Sequence, residues 1–149
     1  MGHMSGQDRR GWWIPCRVGS WAICAVVTTS VCGAPSMPSP IALGLWGGNH
    51  IAMTVTDSVT HVELDCAHGD ISGPLTVNAD DQFKADGSFV REHGGPIRSG
   101  EPADMHPARY TGIRRVETIT LTIQVTDTNE VVGTFSLKQG EAGRVVKCL

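Results

Sequence analysis

The chain has 149 residues, enough for one domain and hardly for two, and its 40% apolar content suffices for a packed core. Charge is uneven: residues 1–34 hold Arg9, Arg10 and Arg17 against Asp8, a formal +2, while the remainder holds 9 Lys and Arg against 14 Asp and Glu, a formal −5. Phosphate contacts need a basic surface, so an acidic body with only a local Arg114-Arg115 pair argues against a nucleic-acid partner.

The first third differs in kind from the rest. Cys16, Cys24 and Cys32 and Trp12, Trp13 and Trp21 all precede residue 35. Arg9-Arg10 leads into an uncharged apolar stretch, Val18 to Val31 after Arg17, and then into Cys32-Gly33-Ala34-Pro35. A basic start, a short apolar run and a small-residue exit describe an export signal. The run is shorter than the ~20 residues that cross a bilayer. Residues 1–34 are therefore read as a signal segment, 35–45 as a linker and 46–149 as the domain. The expected location is secreted, periplasmic or otherwise in the cell envelope. Cys32 also stands where bacterial lipoproteins carry an acylated cysteine, with Thr29 and Val31 at the positions that are usually aliphatic and small. Contact with a membrane is expected only through this segment or a lipid on Cys32.

From residue 46 the chain alternates with period 2, the signature of half-buried strands. Ile51, Met53 and Val55 alternate with Ala52 and Thr54, Asp57-Ser58 turns the chain, and Val62, Leu64 and Cys66 alternate with His61, Glu63 and Asp65. Leu75 and Val77 make a short third strand, and Asn78 to Asp81 is turn chemistry. Phe83 to Val90 is the fourth, with a bulge or turn expected at Asp86-Gly87. Glu92 to Pro107 is rich in glycine and proline and reads as a long loop, either a lid or an inert connection. Ala108 to Val116 follows as the fifth strand. In Thr118 to Thr126, Ile119, Leu121, Ile123 and Val125 face one way and threonines the other. After Asp127 to Glu130, Val131, Gly133, Phe135 and Leu137 share a face, and Arg144 to Cys148 makes an eighth strand. Seven or eight sequential strands with short links predict a small antiparallel up-and-down β-barrel, which leaves no open edge.

Cys66 and Cys148 are the two cysteines outside the leader, and an even pair in an exported protein reads as a disulfide. Polar ligands concentrate at Asp65-Cys66-Ala67-His68-Gly69-Asp70 and at Glu92-His93. If these segments meet, His68, His93, Asp70 and Glu92 offer nitrogen and oxygen donors to zinc or a similar ion, as a metal-binding protein or a metal-dependent hydrolase would. Neither H-E-x-x-H nor C-x-x-C nor G-x-S-x-G occurs, so no catalytic set stands out and no cofactor is expected.

Gly44-Leu45-Trp46 at the start of an antiparallel meander resembles the G-x-W opening of lipocalin-like barrels. That likeness implies a tryptophan closing the barrel floor beneath a basic residue, here Arg144 or Lys147. The blocks Asp65–Gly69, Arg91–Pro96, Ala108–Gly112 and Lys147–Leu149 also resemble small bacterial exported or lipoprotein-type proteins of unassigned activity. The function expected is a non-enzymatic binding module for a small apolar ligand, using Trp46, His93, Arg109 and Tyr110. The metal reading and a structural domain that recognises another envelope protein are the alternatives.

Overall fold

The computed structural model describes residues 37–95, 100 and 102–148. The leader, with Arg9-Arg10 and Cys32, lies outside the described residues. No helix occurs among those described.

Ten strands form: β1 (Ser39–Pro40), β2 (Gly44–Gly48), β3 (Ile51–Val55), β4 (Val59–Leu64), β5 (Ala67–Ser72), β6 (Thr76–Val77), β7 (Gln82–Arg91), β8 (Asp104–Arg115), β9 (Thr118–Val125) and β10 (Val131–Gln139). Eight of them close into a barrel in the order β2-β3-β4-β5-β7-β8-β9-β10, with β10 returning to β2. Every barrel pair is antiparallel. This is the up-and-down barrel expected from the alternation, and closure pairs both edges of every barrel strand.

The pleat decides what is inside. Ile119, Leu121, Ile123 and Val125 are fully buried, and the threonines between them face out. One contiguous apolar cluster fills the interior, with Trp46, Met53, Ile71, Phe89, Tyr110 and Leu137 among its members. The barrel axis is thus a packed core in place of the open cavity that a deep ligand site needs.

Several details differ from the sequence reading, each for a physical reason. The polar run after Cys66, given no strand above, is one: Ala67 to Ser72 is β5, with Ala67, Gly69 and Ile71 inward and His68 and Asp70 outward. Gly69 is required there, because a Cβ would strike the Tyr110 hydroxyl and the Ser88 carbonyl. Residues 39–45, assigned above to a linker, pair and pack: β1 joins β6 outside the barrel, Ile41 is buried, and Gly44 already belongs to β2. The Leu75–Val77 segment accordingly closes one end of the barrel instead of extending its wall. Arg144 to Cys148 is no barrel strand. It makes a single parallel bridge, Asn49 to Arg144, and the eighth wall strand is β2.

The tail after β10 runs over the outside of β2 and β3. Gly47 faces outward beneath the backbone of Glu141 to Gly143, and Gly143 in turn lies on Ala52, so side chains at either glycine would lift the tail away. The expected bulge at Asp86-Gly87 is absent, since β7 pairs with β8 without a break from Gln82 to Arg91. A register shift occurs instead in β10 between Val131 and Gly133, which turns Val131 outward.

Candidate functional site

The four residues expected to bind a ligand do not converge. Tyr110 is fully buried, its hydroxyl donating to the Ser88 carbonyl at 2.7 Å, and burial pushes the phenol well above its ordinary range. Arg109, the next residue on β8, points outward, and its Nε donates to Asp86 Oδ1 at 2.9 Å. His93 is exposed beyond the end of β7, with Nδ1 3.2 Å from the Gly94 carbonyl. Trp46 and His93 line different recesses, and the larger of the two is the one at Trp46.

That recess lies at the end of the barrel where β1 and β6 pair. It measures about 750 Å³ and is lined by Ile41, Leu43, Trp46, Val55, Leu75 and Val116 with Pro40, Pro74, Asp81 and Arg114. Trp46 is buried, and its indole Nε1 donates to the Ala42 carbonyl at 2.9 Å. Arg114 ties the rim together: its Nη2 and Nε donate to Asp81 Oδ1 at 2.6 and 3.2 Å, and its Nη1 to the Pro40 carbonyl at 3.2 Å. The basic residue sharing a recess with Trp46 is therefore Arg114. Arg144 and Lys147, the residues implied by the lipocalin likeness, lie on the tail at the outer surface. Leu43 is 63% exposed and Val116 92% exposed. Val116 also holds a φ of 52°, in the left-handed region that a β-branched residue adopts only under strain.

A second recess of about 790 Å³ has a mixed lining, with Thr76, Asn78 and Gln82 beside Val77, Phe83 and Ile113. None of the expected ligand residues lines it.

The expected metal ligands are brought partly together, on the outer face of β4 and β5. His68 and Glu92 meet, Nδ1 to Oε1 at 2.7 Å. Asp70 lies opposite His61, whose Nδ1 is 2.6 Å from Asp70 Oδ1. His61 Nε2 is 2.6 Å from Glu63 Oε1. His93 shares a recess of about 370 Å³ with His68 and Glu92. Lys147, from the tail, pairs with Glu63 and with both oxygens of Glu92, the latter at 3.2 Å. Among the described residues, no three His, Cys, Asp or Glu side chains are arranged to hold a metal ion.

These contacts set the charges. His61 is held above its ordinary value by its hydrogen bonds to Asp70 and Glu63. Partial burial pushes Glu63 up, but Lys147 and His61 outweigh it and hold the carboxyl down. His68 and then Lys147 lower Glu92. Asp65 is lowered by the backbone N–H of Val146 and by His50.

Sequence reasoning missed His61, Glu63 and Lys147. The alternation of β4 already put His61 and Glu63 on the outer face, and the β4–β5 register, Glu63 opposite His68 and His61 opposite Asp70, completes the square. Cys66 and Cys148 are bridged with their α-carbons 5.0 Å apart, so the disulfide anchors the tail beside this cluster.

The chain matches no protein-family model, no curated protein and no solved structure. What the structure shows is the closed eight-stranded antiparallel barrel, with no family attached to it.

Proposed function

We propose that the protein is an exported, non-enzymatic binding module that takes a small apolar ligand at the β1–β6 mouth of the barrel, not along its axis. The observation that carries this reading is the recess of about 750 Å³ bounded by Trp46, Leu43 and Val116. Its size falls within the roughly 300–1,000 Å³ of small-molecule sites, and its apolar walls with one Arg–Asp pair are the usual composition of such sites. Val116 supports the reading independently. An aliphatic side chain both exposed and conformationally strained gains nothing from the fold around it, and covering it with an apolar ligand gives it a use. Export is supported by the leader's pattern and by a cysteine pair suited to an oxidising compartment. Retention through a lipid on Cys32 is the variant of this reading in which the mature chain stays on the envelope.

The test is fluorescence titration of the oxidised full chain with N-phenylnaphthylamine, an uncharged apolar probe. Enhanced emission that saturates is expected. Leu43→Asp and Val116→Asp each weaken binding by roughly tenfold, about what losing one apolar contact surface removes. Arg109→Gln, on the outer wall, leaves it unchanged. No saturable enhancement, or enhancement indifferent to both aspartates, removes the reading.

A further inference from the structure

We infer that the outer-face cluster of His61, Glu63, His68 and Glu92 is a latent site for a divalent transition-metal ion of the zinc class, kept closed by the ammonium group of Lys147. The contacts form a circuit. Lys147 bridges Glu63 and Glu92, Glu63 touches His61 Nε2, Glu92 touches His68 Nδ1, and the two imidazole centroids stand 6.0 Å apart. Two imidazoles sharing a tetrahedral ion at Zn–N distances near 2.0–2.1 Å have centroids about 5 Å apart, so the spacing of these rings is close to that of a shared ion.

The donors stand on or beside paired strands, whereas Lys147 reaches them from the tail, between Val146 and the bridged Cys148, on a long flexible side chain. Glu63 and His68 are a directly opposed pair on β4 and β5, and the backbone N–H of Glu92 donates to the Cys66 carbonyl at 2.8 Å. Asp70 supplies the support that a ligating histidine needs. Its carboxylate lies 2.6 Å from His61 Nδ1, which fixes the ring with Nε2 toward Glu63. Two imidazoles and two carboxylates form a donor set that suits zinc.

In the lysine-bound state a cation already stands between the two glutamates, and the carboxylates and imidazoles pair with each other and with it. That is why no three ligands meet at one point there. Metal binding is then a cation exchange in which the ion enters, the Lys147 ammonium leaves to solvent, and the disulfide keeps the tail attached.

The experiment is isothermal titration of the oxidised full chain with zinc chloride, with the histidine ring nitrogens followed by long-range proton–nitrogen NMR. One ion is expected to bind, with the His61 and His68 ring signals moving together. Lys147→Met should bind roughly tenfold tighter, the equivalent of one competing ion pair. His61→Gln/His68→Gln should abolish this binding, and His93→Gln should leave it as it was. Absence of binding in both the wild type and Lys147→Met overturns the inference. So does a Lys147→Met variant no tighter than wild type, or zinc uptake that survives loss of both histidines.

Discussion

The mouth of this barrel and its C-terminal tail are held by opposite means. At the mouth that holds Trp46, closure is apolar: the β1–β6 pair and Ile41 cover the core, with Leu75 and Val77 buried beside them. Toward the other end the tail, after crossing the outer wall, is held by covalent and charged groups. The tail is fastened by Cys66–Cys148, by Lys147 to Glu63 and Glu92, and by the Val146 N–H to Asp65 Oδ1 at 2.7 Å. Burial of apolar area is insensitive to redox state and nearly insensitive to pH, whereas disulfides and ion pairs respond to both. Conditions that leave the mouth intact should therefore loosen the tail.

The largest expected effect comes from the disulfide. It spans 82 residues of sequence, and in the chain-entropy model a loop of that size contributes about 4–5 kcal/mol as an upper value. Urea unfolding of the oxidised chain against Cys66→Ser/Cys148→Ser should show a loss approaching that figure. Hydrogen exchange before the transition should accelerate at residues 141–148 and not at Ile41 or Trp46. Equal acceleration at both ends would mean that the two closures are one cooperative unit, and the contrast drawn above would fail.

How much of this was readable in the sequence divides along the same lines. β3, β4 and β7 to β10 announced themselves, because large apolar and polar side chains alternate along them. The cysteine pair followed from the even count of cysteines outside residues 1–34. β2 and β5 were hidden because glycine carries no side chain with which to show alternation. Gly47 is there to let the tail lie flat, and Gly69 to let the Tyr110 hydroxyl reach Ser88. These residues answer to close approaches made by distant parts of the chain, which a local pattern does not encode. The outer-face cluster depends on the same missing strand. Once β5 is known to be a strand, the pairing of Glu63 with His68 follows from a two-residue turn at Asp65-Cys66, but Lys147 arrives only by way of the tail's path across β2. The mouth was legible in Trp46 and illegible in Arg114 and Asp81, which read as a surface basic pair and a turn.

A smaller effect separates stability from use at the mouth. Val116→Gly removes the strain of a β-branched residue at φ 52° and should stabilise the chain by about 1 kcal/mol, since the relief of left-handed strain exceeds the added freedom of the unfolded glycine. The same change takes away one wall of the recess, so affinity for the apolar probe should fall as the unfolding midpoint rises. A glycine variant that loses stability would show that Val116 packs on the core, and the argument from its strain would fall with it.

The smallest effect is electrostatic and belongs to the end opposite the mouth. His106, at the start of β8, has Nδ1 2.7 Å from Asp127 Oδ2 and Nε2 3.0 Å from Asp104 Oδ1. The hydrogen bond to Asp127 first, and that to Asp104 second, raise the imidazole above its ordinary value of 6.5. A raised value means that the folded state holds the proton more tightly than the unfolded chain does. The stabilisation is therefore complete below the unfolded value and is lost as pH rises through the folded one. Asp127 runs the other way: His106 lowers it, so its share disappears as pH falls through the lowered value. The pair thus stabilises most where the carboxylate is already ionised and the imidazole is still protonated. Comparing wild type with His106→Gln from about pH 6 to about pH 8 isolates the imidazole's part. The wild-type advantage should shrink with rising pH, because glutamine does not titrate, and the gap should narrow further in salt, as for any solvent-exposed pair. A constant difference across that range would mean that His106 acts through packing and not through its charge.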